Sequence, residues 1–318
     1  MIKSPLNYTG NKFRILPQIL PHFPRQANKM VDMFCGGATV GINCNSETVY
    51  FVDSNERVIS LLKFLANTDI EKLISKLILL ARKYNLSVSY LDGYSDCFST
   101  KPSKNKNNGL KAFNKDGFYR LRYDYNCLSN KETAEANTML YLLLVYGFNN
   151  DLRFNSKGEY NLPCGKTDLN RSNINKIRDF NKRAKERNFV FICGDFRDKK
   201  IQETVLSSNF VYLDPPYLIT DAVYNETSKW DSETEKELIS FWEILVNKKI
   251  PFVLSNVLDK NNGKILNTPL KKFIENNSDV EVYDIDYNYR SSSYNKKNRD
   301  ANEREIIVCY GVNHDWYK

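Results

Sequence analysis

The stretch FVYLDPPYLI, residues 210 to 219, opens as an apolar run and stops at an aspartate, two prolines and a tyrosine. A short apolar run bounded by turn residues predicts a buried strand, and ligands of open α/β sheets lie beyond the carboxyl ends of the strands. Pro215 and Pro216 fix φ and remove two backbone donors, so this turn presents hydrogen-bond acceptors around the carboxylate of Asp214.

A turn of this kind can accept both hydrogens of an exocyclic amino group, which draws the nitrogen lone pair out of ring conjugation. Tyr217 then offers a flat face against which a heteroaromatic base can stack. We predict that Asp214, Pro215, Pro216 and Tyr217 form a catalytic site in which the substrate amine is the nucleophile. The alternative is a rigid turn after a strand, with no chemical role.

Other runs of β-branched and aromatic residues predict core strands along the chain. They lie at residues 29–34, 49–53, 189–195, 251–256, 280–285 and 305–310. Helical patterns at 54–65 and 231–246 lie between strands, and Ser232 with Glu235 has the spacing of a capping box at the start of the second. This alternation predicts a mostly parallel α/β sheet, with an antiparallel edge hairpin after residue 280.

The middle of the chain interrupts this alternation, because helical patterns dominate from residue 67 to residue 175. We predict a catalytic domain formed by residues 1–66 and 176–318, with a second domain at 67–175 inserted in it. Within the insert, the Lys- and Asn-rich stretch 99–117 predicts a mobile loop. Seven basic residues lie between 101 and 122 against the single acid Asp116, and the alternative is an ordinary solvated loop.

A second set of candidate residues follows the strand at 29–34, in VDMFCGGATVG (31–41). Glycines after a strand let the backbone approach a ligand closely and leave the N–H groups of a helix N-terminus available. Asp53 ends the next strand about 20 residues beyond Asp32, where nucleotide-binding α/β folds place a carboxylate that holds ribose hydroxyls. Because the glycines do not follow the GxGxxG pattern, we predict an adenosyl ligand without a pyrophosphate. The alternative is that residues 53–55 only cap the following helix.

The composition limits the class of protein further. A chain of 318 residues with 42% hydrophobic residues can bury a large core, and a net charge of +8 makes a nucleic acid a plausible partner. Seven cysteines without a CxxC pair, and only two histidines, argue against disulfides and against a metal site. The longest apolar stretch, 139–148, is too short to span a bilayer. We therefore expect a cytoplasmic protein that uses no metal and does not enter a membrane.

Four motifs occur in a characteristic order: YTGNK (8–12), FCGG (34–37), GFNNDLRFNSKGEYNLPCGK (147–166) and DPPY (214–217). Together they resemble the Dam-type DNA adenine-N6 methyltransferases (D12 class, alpha group), and most of all the compact bacteriophage Dam enzymes. The similarity extends over nearly the whole chain. It implies an enzyme that flips an adenine out of double-stranded DNA and methylates its N6, with S-adenosyl-L-methionine as donor and S-adenosyl-L-homocysteine as product. It also implies a Rossmann-like methyltransferase sheet with an inserted, mainly helical target-recognition domain that carries a β-hairpin.

The resemblance also assigns roles to individual residues. The residues that it implies for cofactor binding are Tyr8, Lys12, Asp32, Phe34, Gly36, Asp53, Asp195, Phe196 and Asp214. Chemistry agrees with part of this set, because the carboxylate of Asp32 can hold the cofactor's ammonium and Lys12 can hold its carboxylate. Methyl transfer from a sulfonium to a neutral amine disperses charge, so positioning contributes most of the catalysis.

Readout of the DNA sequence is expected in residues 147–166. The segment RFNSKGEYN (153–161) predicts a β-hairpin, a shape that can enter the major groove, and Arg153 is the candidate for a bidentate contact to guanine. Phe148 and Asn149 are candidates beside the extruded base, and Lys166 is a candidate phosphate contact. The resemblance implies GATC or a related GA-containing target, with a companion restriction endonuclease as a possible partner. An ordinary solvated hairpin is the alternative.

Other activities are compatible with parts of this pattern. An N4-cytosine methyltransferase would usually have Ser in place of Asp214, and an RNA or protein-glutamine methyltransferase more often has Asn there. A DNA-binding protein without activity could retain the hairpin alone, although Tyr8, Lys12 and Asp53 are intact.

Overall fold

The computed structural model describes residues 1–8, 10–94, 108–219, 230–286 and 303–312. Seven of its strands correspond to the predicted apolar runs, and one further strand is very short. The strands are β1 (Ala27–Met33), β2 (Ser46–Asp53), β3 (Asn188–Cys193), β4 (Phe210–Leu213), β5 (Phe252–Lys260), β6 (Ile265–Leu266), β7 (Val280–Asp284) and β8 (Glu303–Tyr310).

The helices of the described residues fall mainly between β2 and β3. They are α1 (Leu16–Ile19), α2 (Glu56–Asn67), α3 (Ile70–Lys83), α4 (Ser89–Asp92), α5 (Asn108–Cys127), α6 (Ala134–Tyr146), α7 (Arg171–Glu186), α8 (Lys199–Leu206), α9 (Ser232–Asn247) and α10 (Thr268–Asn276). Short 3₁₀ turns lie at Lys12–Arg14, Leu20–His22, Gly41–Asn43 and Phe148–Asn150.

The described strands form one sheet in the order β3-β2-β1-β4-β5-β8-β7, with β6 beside β5. The neighbours β2, β1, β4 and β5 run parallel, whereas β8 is antiparallel to both β5 and β7. The predicted mixed α/β sheet with an antiparallel edge is therefore confirmed. Its central strands are apolar without alternation, and all four residues of β4 are buried, as expected for strands covered on both faces.

The chain divides into two compact units. The helical unit comprises Met1–Asn11, Gly36–Asn43 and Asn55–Phe191, and the sheet unit comprises Lys12–Cys35, Cys44–Ser54 and Ile192–Lys318. These bounds differ from the predicted ones because α2 and α7 pack with α3 and α6 in the helical unit. The assignment of one region to catalysis and of 67–175 to target recognition remains a prediction.

A buried helix organises the helical unit. Residues Ala136–Tyr146 of α6 are all buried, which is the pattern of a helix enclosed by others on every side. The helix α2 packs against it with its predicted apolar face, and Val58, Leu61 and Leu62 are fully buried.

Two details of the sequence prediction are wrong. Residues 108–117 of the predicted loop belong to α5, because Leu110, Asn114 and Phe118 are buried and tertiary packing overrides a composition that favours loops. Residues 99–107 lie outside the described residues. The helix α9 begins without the predicted capping box, since its N-cap is Asp231, which accepts from the Thr234 N–H.

No helix in the part of the chain that the structure describes combines the length and the apolarity needed to cross a membrane.

The core of the sheet unit lies between the central strands and α9. Its buried members include Val31, Leu213, Leu238, Trp242, Phe252 and Phe273. Burying an aliphatic side chain of this size stabilises a fold by about 1.5–3 kcal/mol, so this cluster holds β4, the strand that ends just before Asp214.

We expect Leu238→Ala to lower the free energy of unfolding by about 2–5 kcal/mol, because Leu238 is fully buried and its truncation leaves a cavity. Urea titration followed by circular dichroism measures the change. Ile244→Ala on the same helix is the control; Ile244 is 40% exposed and should change stability by no more than about 0.5 kcal/mol. Equal losses in both variants would contradict the assigned core.

Candidate active site

The register of the sheet brings three predicted residues to the same level at its carboxyl edge. Met33 of β1 is opposite Val52 of β2 and also opposite Leu213 of β4. Phe34, Asp53 and Asp214 each follow one of these paired residues. The parallel pairing therefore places Asp53 at the end of β2, and Phe34 and Asp214 just beyond the ends of β1 and β4, where ligands of open α/β sheets bind.

A buried ion cluster surrounds Asp214. The ammonium of Lys12 lies 3.1 Å from Asp214 Oδ1 and 3.4 Å from Glu305 Oε1, and its Nζ donates to the Tyr217 hydroxyl at 2.6 Å. The Tyr217 hydroxyl lies 2.9 Å from Asp214 Oδ1 and 3.3 Å from Glu305 Oε1. Lys12 and Glu305 are each 5% exposed, so this charge cluster is almost withdrawn from solvent.

The electrostatics of the cluster reflect its burial. Burial works to lower the pKa of Lys12, but the carboxylates of Asp214 and Glu305 outweigh it and hold the pKa of the ammonium above its usual value. Burial also raises the pKa of the Asp214 carboxyl, although Lys12 and the Tyr217 hydroxyl act in the opposite direction. The pKa of Tyr212, next to this site on β4, is raised by burial and by the Asp214 charge, so its hydroxyl stays protonated.

The turn after β1 carries a second carboxylate and an aromatic ring. Asp32 is 1% exposed, and Phe34 adopts φ +61°, a left-handed conformation that is uncommon for a bulky residue. Burial, followed by the charges of Asp53 and Asp32, raises the pKa of the Cys35 thiol well above its usual value. Two of the predicted cofactor carboxylates therefore act on one buried thiol.

Three aromatic rings cluster beyond this edge of the sheet. The centroid of Phe34 lies 5.9 Å from that of Phe196 and 6.0 Å from that of Trp230, and the latter two lie 6.0 Å apart. The indole N–H of Trp230 donates to Glu235 Oε2 at 2.7 Å, and Glu235 is fully buried. Glu235 therefore orients an aromatic side chain instead of capping its own helix.

Asp195, another predicted cofactor residue, is held by a neighbour. Arg197 Nε lies 2.7 Å from Asp195 Oδ1, and a second bond of 3.0 Å joins Arg197 Nη2 to Oδ2. Partial burial works to raise the pKa of this carboxyl, but the bonds to Arg197 hold it below its usual value. The backbone N–H of Gly194 donates to the carbonyl of Asp53 at 3.0 Å, which brings the turns after β2 and β3 together.

Tyr8 and Gly36 are in contact within the helical unit. Gly36 adopts φ +46°, and a Cβ placed on it would lie 2.8 Å from Tyr8 Cδ1. A larger residue at position 36 would therefore displace the Tyr8 ring. The motifs YTGNK and FCGG, which are distant in sequence, meet at this contact.

The predicted DNA-reading segment is anchored by close backbone approach. A Cβ on Gly165 would lie 2.4 Å from the carbonyl oxygen of Gly147, so there is no space for a side chain at position 165. The Tyr160 hydroxyl donates to the carbonyl of Leu143 at 2.9 Å and fixes the same region. Two residues directly after Gly147 are candidates of the DNA-reading segment: Phe148 is 44% exposed, and Asn149 adopts φ +57°.

Residues 153–161 form the expected antiparallel turn, although it is shorter than a regular hairpin. Phe154 pairs with Tyr160 in a single bridge, and the backbone N–H of Asn161 donates to the carbonyl of Arg153 at 3.1 Å. Arg153 Nε donates to Asn161 Oδ1 at 2.9 Å, a bond that does not use the two Nη nitrogens. Lys166 is exposed.

The structure thus assembles two groups of predicted residues, each within one unit. The sheet unit holds Lys12, Asp32, Phe34, Asp53, Asp195, Phe196, Asp214, Pro215, Pro216 and Tyr217. The helical unit holds Tyr8, Gly36, Phe148, Asn149, Arg153 and Lys166. The roles of these residues remain predictions.

Sequence reasoning missed Glu305 and Trp230. Glu305 precedes the apolar run of β8, and a carboxylate that is buried at the start of a core strand is the signal that identifies it. Trp230 lies just ahead of α9, and its neighbour in space, Glu235, looked like a capping residue. Among the described residues, no group of three or more His, Cys, Asp or Glu side chains is placed to hold a metal ion; the prediction that none is required is not tested by this.

Comparison with known proteins identifies the family. The model of the D12 class N6 adenine-specific DNA methyltransferases matches residues 8–289. The chain belongs to this family, whose name implies a methyl donor, S-adenosylmethionine, and a DNA substrate. The family has the mixed α/β fold described above.

Individual bacterial relatives are named as methylases or methyltransferases. The chain is 33% identical over 314 residues to modification methylase StsI of Streptococcus sanguinis, an alignment that covers 95% of this chain and 42% of the relative. It is 31% identical over 319 residues to type II methyltransferase M.FokI of Planomicrobium okeanokoites, covering 98% and 43%. It is 29% identical over 213 residues to a DNA adenine methylase of Haemophilus influenzae, covering 67% and 63%. The chain thus spans less than half the length of the first two.

We expect Lys12→Met to lower the free energy of unfolding by about 3–5 kcal/mol near pH 8, because two buried carboxylates lose their cation. In the unsubstituted chain, the stabilisation by Lys12 is fully present below its ordinary pKa of 10.5 and is lost only as pH rises through the raised pKa. In the variant, the penalty shrinks as pH falls through the raised pKa of Asp214, since a protonated carboxyl needs no cation.

Urea titrations at pH 8 and pH 5.5 measure this difference. The control is Lys271→Met, which removes an exposed pair with Glu275 at 3.5 Å and should cost about 0.5 kcal/mol or less at both pH values. A loss for Lys12→Met that is the same at both pH values would show that the carboxylates do not depend on Lys12.

Proposed function

We propose that the chain is a site-specific DNA methyltransferase that methylates adenine N6 in double-stranded DNA after the adenine has left the helix. The observation that carries the proposal is the DPPY turn at the carboxyl end of a central strand, in a chain of the D12 family. Both described bonds to the Asp214 carboxylate, from Lys12 and from Tyr217, end on Oδ1. Oδ2 is therefore the oxygen that we assign to the amino group of the adenine.

The residues around the sheet edge suit S-adenosylmethionine, which supplies a methyl group on a positively charged sulfur. Asp32 is a buried carboxylate for the cofactor's ammonium, and Asp53 is the last residue of β2, where it can accept from ribose hydroxyls. Asp195 and Phe196 would contact the adenine of the cofactor, and Phe34, whose ring packs against Phe196 and Trp230, would line its methionine part. In the helical unit, Gly36 leaves the space that its contact with Tyr8 requires.

The residues of the chain would act by position and charge. Asp214 Oδ2 and the carbonyl of Pro215 would accept the two amino hydrogens, and Tyr217 lies in the turn that faces the base. The sequence predicted that Lys12 binds the cofactor's carboxylate, but its ammonium forms ion pairs with Asp214 and Glu305. We propose that Lys12 keeps Asp214 ionised. An ionised acceptor is the form that binds an N–H donor most strongly.

Recognition of DNA is proposed for residues 147–166 within the inserted region 67–175. Base flipping costs a few kcal/mol, which contacts of Phe148, Asn149 and Lys166 with the DNA would offset. Arg153 would read a guanine through its two Nη nitrogens. GATC or a related GA-containing site is the proposed target. This target follows from the proposed likeness to bacteriophage Dam enzymes. Relatives named as modification methylases support a companion restriction endonuclease as partner.

We expect the purified chain to transfer tritium from labelled S-adenosylmethionine to plasmid DNA, with the label in N6-methyladenine. Asp214→Ala should reduce this rate by about 100-fold or more and should largely retain DNA binding, because the acceptor for the amino group is lost while the proposed DNA contacts of residues 147–166 are unchanged. Asp279→Ala, an exposed aspartate on the surface, is the control and should retain full activity. Label in cytosine, in RNA or in protein would support the other methyltransferase classes, and no label with intact DNA binding would support a silent DNA-binding protein.

We expect Arg153→Ala to reduce discrimination at one base pair by about 1–3 kcal/mol. Methylation rates of duplexes with each base pair of the target changed in turn measure this effect. Lys157→Ala, at the exposed tip of the same turn, is the control and should weaken binding to all sequences equally. If Arg153→Ala also weakens all sequences equally, Arg153 contacts phosphate and reads no base.

A further inference from the structure

Glu305 is a buried carboxylate that the proposed reaction does not use. It is 5% exposed on β8, and its Oε1 lies 3.4 Å from Lys12 Nζ and 3.3 Å from the Tyr217 hydroxyl. Its second oxygen, Oε2, is buried and has no hydrogen-bond partner among the described residues. A buried polar atom without a partner destabilises a fold, so a purely structural role would be better served by an apolar residue.

The backbone around Glu305 is irregular at this point. Glu305 pairs with Val257 of β5 and Arg304 pairs with Asp259, so two residues of β5 oppose one of β8. The extra residue, Leu258, lies on β5, so the β-bulge distorts the strand opposite Glu305 and not β8 itself. Bulges are common beside active sites, and this one adjoins the carboxylate that reaches Lys12.

We propose that Glu305 is a positioning residue of the methylation site: it holds Lys12 and Tyr217 on Asp214 Oδ1, so that Oδ2 is directed at the amino group of the target base. This inference rests on the proposed function. It adds to that function a residue that does not touch the substrate and acts through two others.

Glu305 provides a second carboxylate contact for both Lys12 and Tyr217, which Asp214 alone cannot provide. The Lys12 ammonium is shared between two carboxylates, and the single proton of the Tyr217 hydroxyl has two acceptors within 3.3 Å. With Glu305 as the second anchor, Lys12 and Tyr217 are each held from two sides. Without it, both groups can rotate around Asp214 and occupy Oδ2, which would block the amino group.

The negative charge of Glu305 has a second consequence, which a residue with a purely structural role would not have. The groups that act on the Asp214 carboxyl are Lys12, Tyr217 and Glu305. Tyr212 of β4 lies close enough to interact electrostatically with Asp214, Glu305 and Asp32 of β1. Burial is the largest cause of the raised pKa of Asp214, and the negative charge of Glu305 raises it further. Removal of that charge should therefore let Asp214 ionise at lower pH.

The test is the near-isosteric variant Glu305→Gln. We expect its maximal methylation rate to fall about tenfold or more, and the acid limb of its pH–rate profile to move to lower pH. Glu305→Asp keeps the charge on a shorter side chain, so its rate should fall while its acid limb stays in place. Glu303→Gln is the matched control on the same strand; Glu303 pairs with Lys260 at 3.3 Å, and its replacement should change neither quantity.

A binding measurement without cofactor provides a second readout. Affinities are compared for a duplex with adenine at the target position and for the same duplex with purine, which lacks the amino group. The unsubstituted chain should prefer adenine, and Glu305→Gln should lose most of that preference because Oδ2 is no longer presented. Differences in base flipping between the two duplexes are the same for both proteins and cancel in the comparison.

A slow Glu305→Gln variant with an unmoved acid limb and an unchanged preference for adenine would overturn the inference, and so would a variant with full activity. Circular dichroism spectra establish that each variant is folded. If the unsubstituted chain does not methylate DNA, the proposed function fails, and the adenine preference still decides the role of Glu305.

Discussion

The candidate site depends on one buried ammonium that is shared by two carboxylates. Lys12 comes from the N-terminal segment, Asp214 from the turn after β4 and Glu305 from β8, so a single ion cluster joins three segments that are distant in sequence. Each charge of such a cluster is tolerated in a dry environment only while the others are present. The cluster therefore makes the position of the DPPY turn a property of the fold rather than of a flexible loop.

The sheet supplies the rest of the arrangement. Parallel pairing of β2, β1 and β4 aligns the ends of three strands, and a residue with a predicted role in binding ends or follows each of them. Phe34 follows β1 in a left-handed conformation, and its ring packs against those of Phe196 and Trp230. Methyl transfer to an amine needs an oriented nucleophile more than it needs a strong base. A rigid edge with oriented acceptors suits that requirement.

Much of this could be read from the sequence because it depends on local patterns. Apolar runs mark the strands, and the ends of these runs mark Asp53 and Asp214. Glu305 escaped detection because its role depends on contacts with Lys12 and Tyr217, which are distant from it in sequence. Residues 108–117 were misjudged because burial of Leu110 and Phe118 outweighs the polar composition of that segment. Tertiary context decided both cases, and composition does not contain it.

The most direct test of the account is single-molecule sequencing of DNA from bacteria that lack their own methyltransferases and that express this chain. The account predicts N6-methyladenine at one short GA-containing sequence, and none in cells that express a chain without the Asp214 carboxylate. Methyl groups on cytosine N4, or N6-methyladenine that persists without that carboxylate, would contradict it.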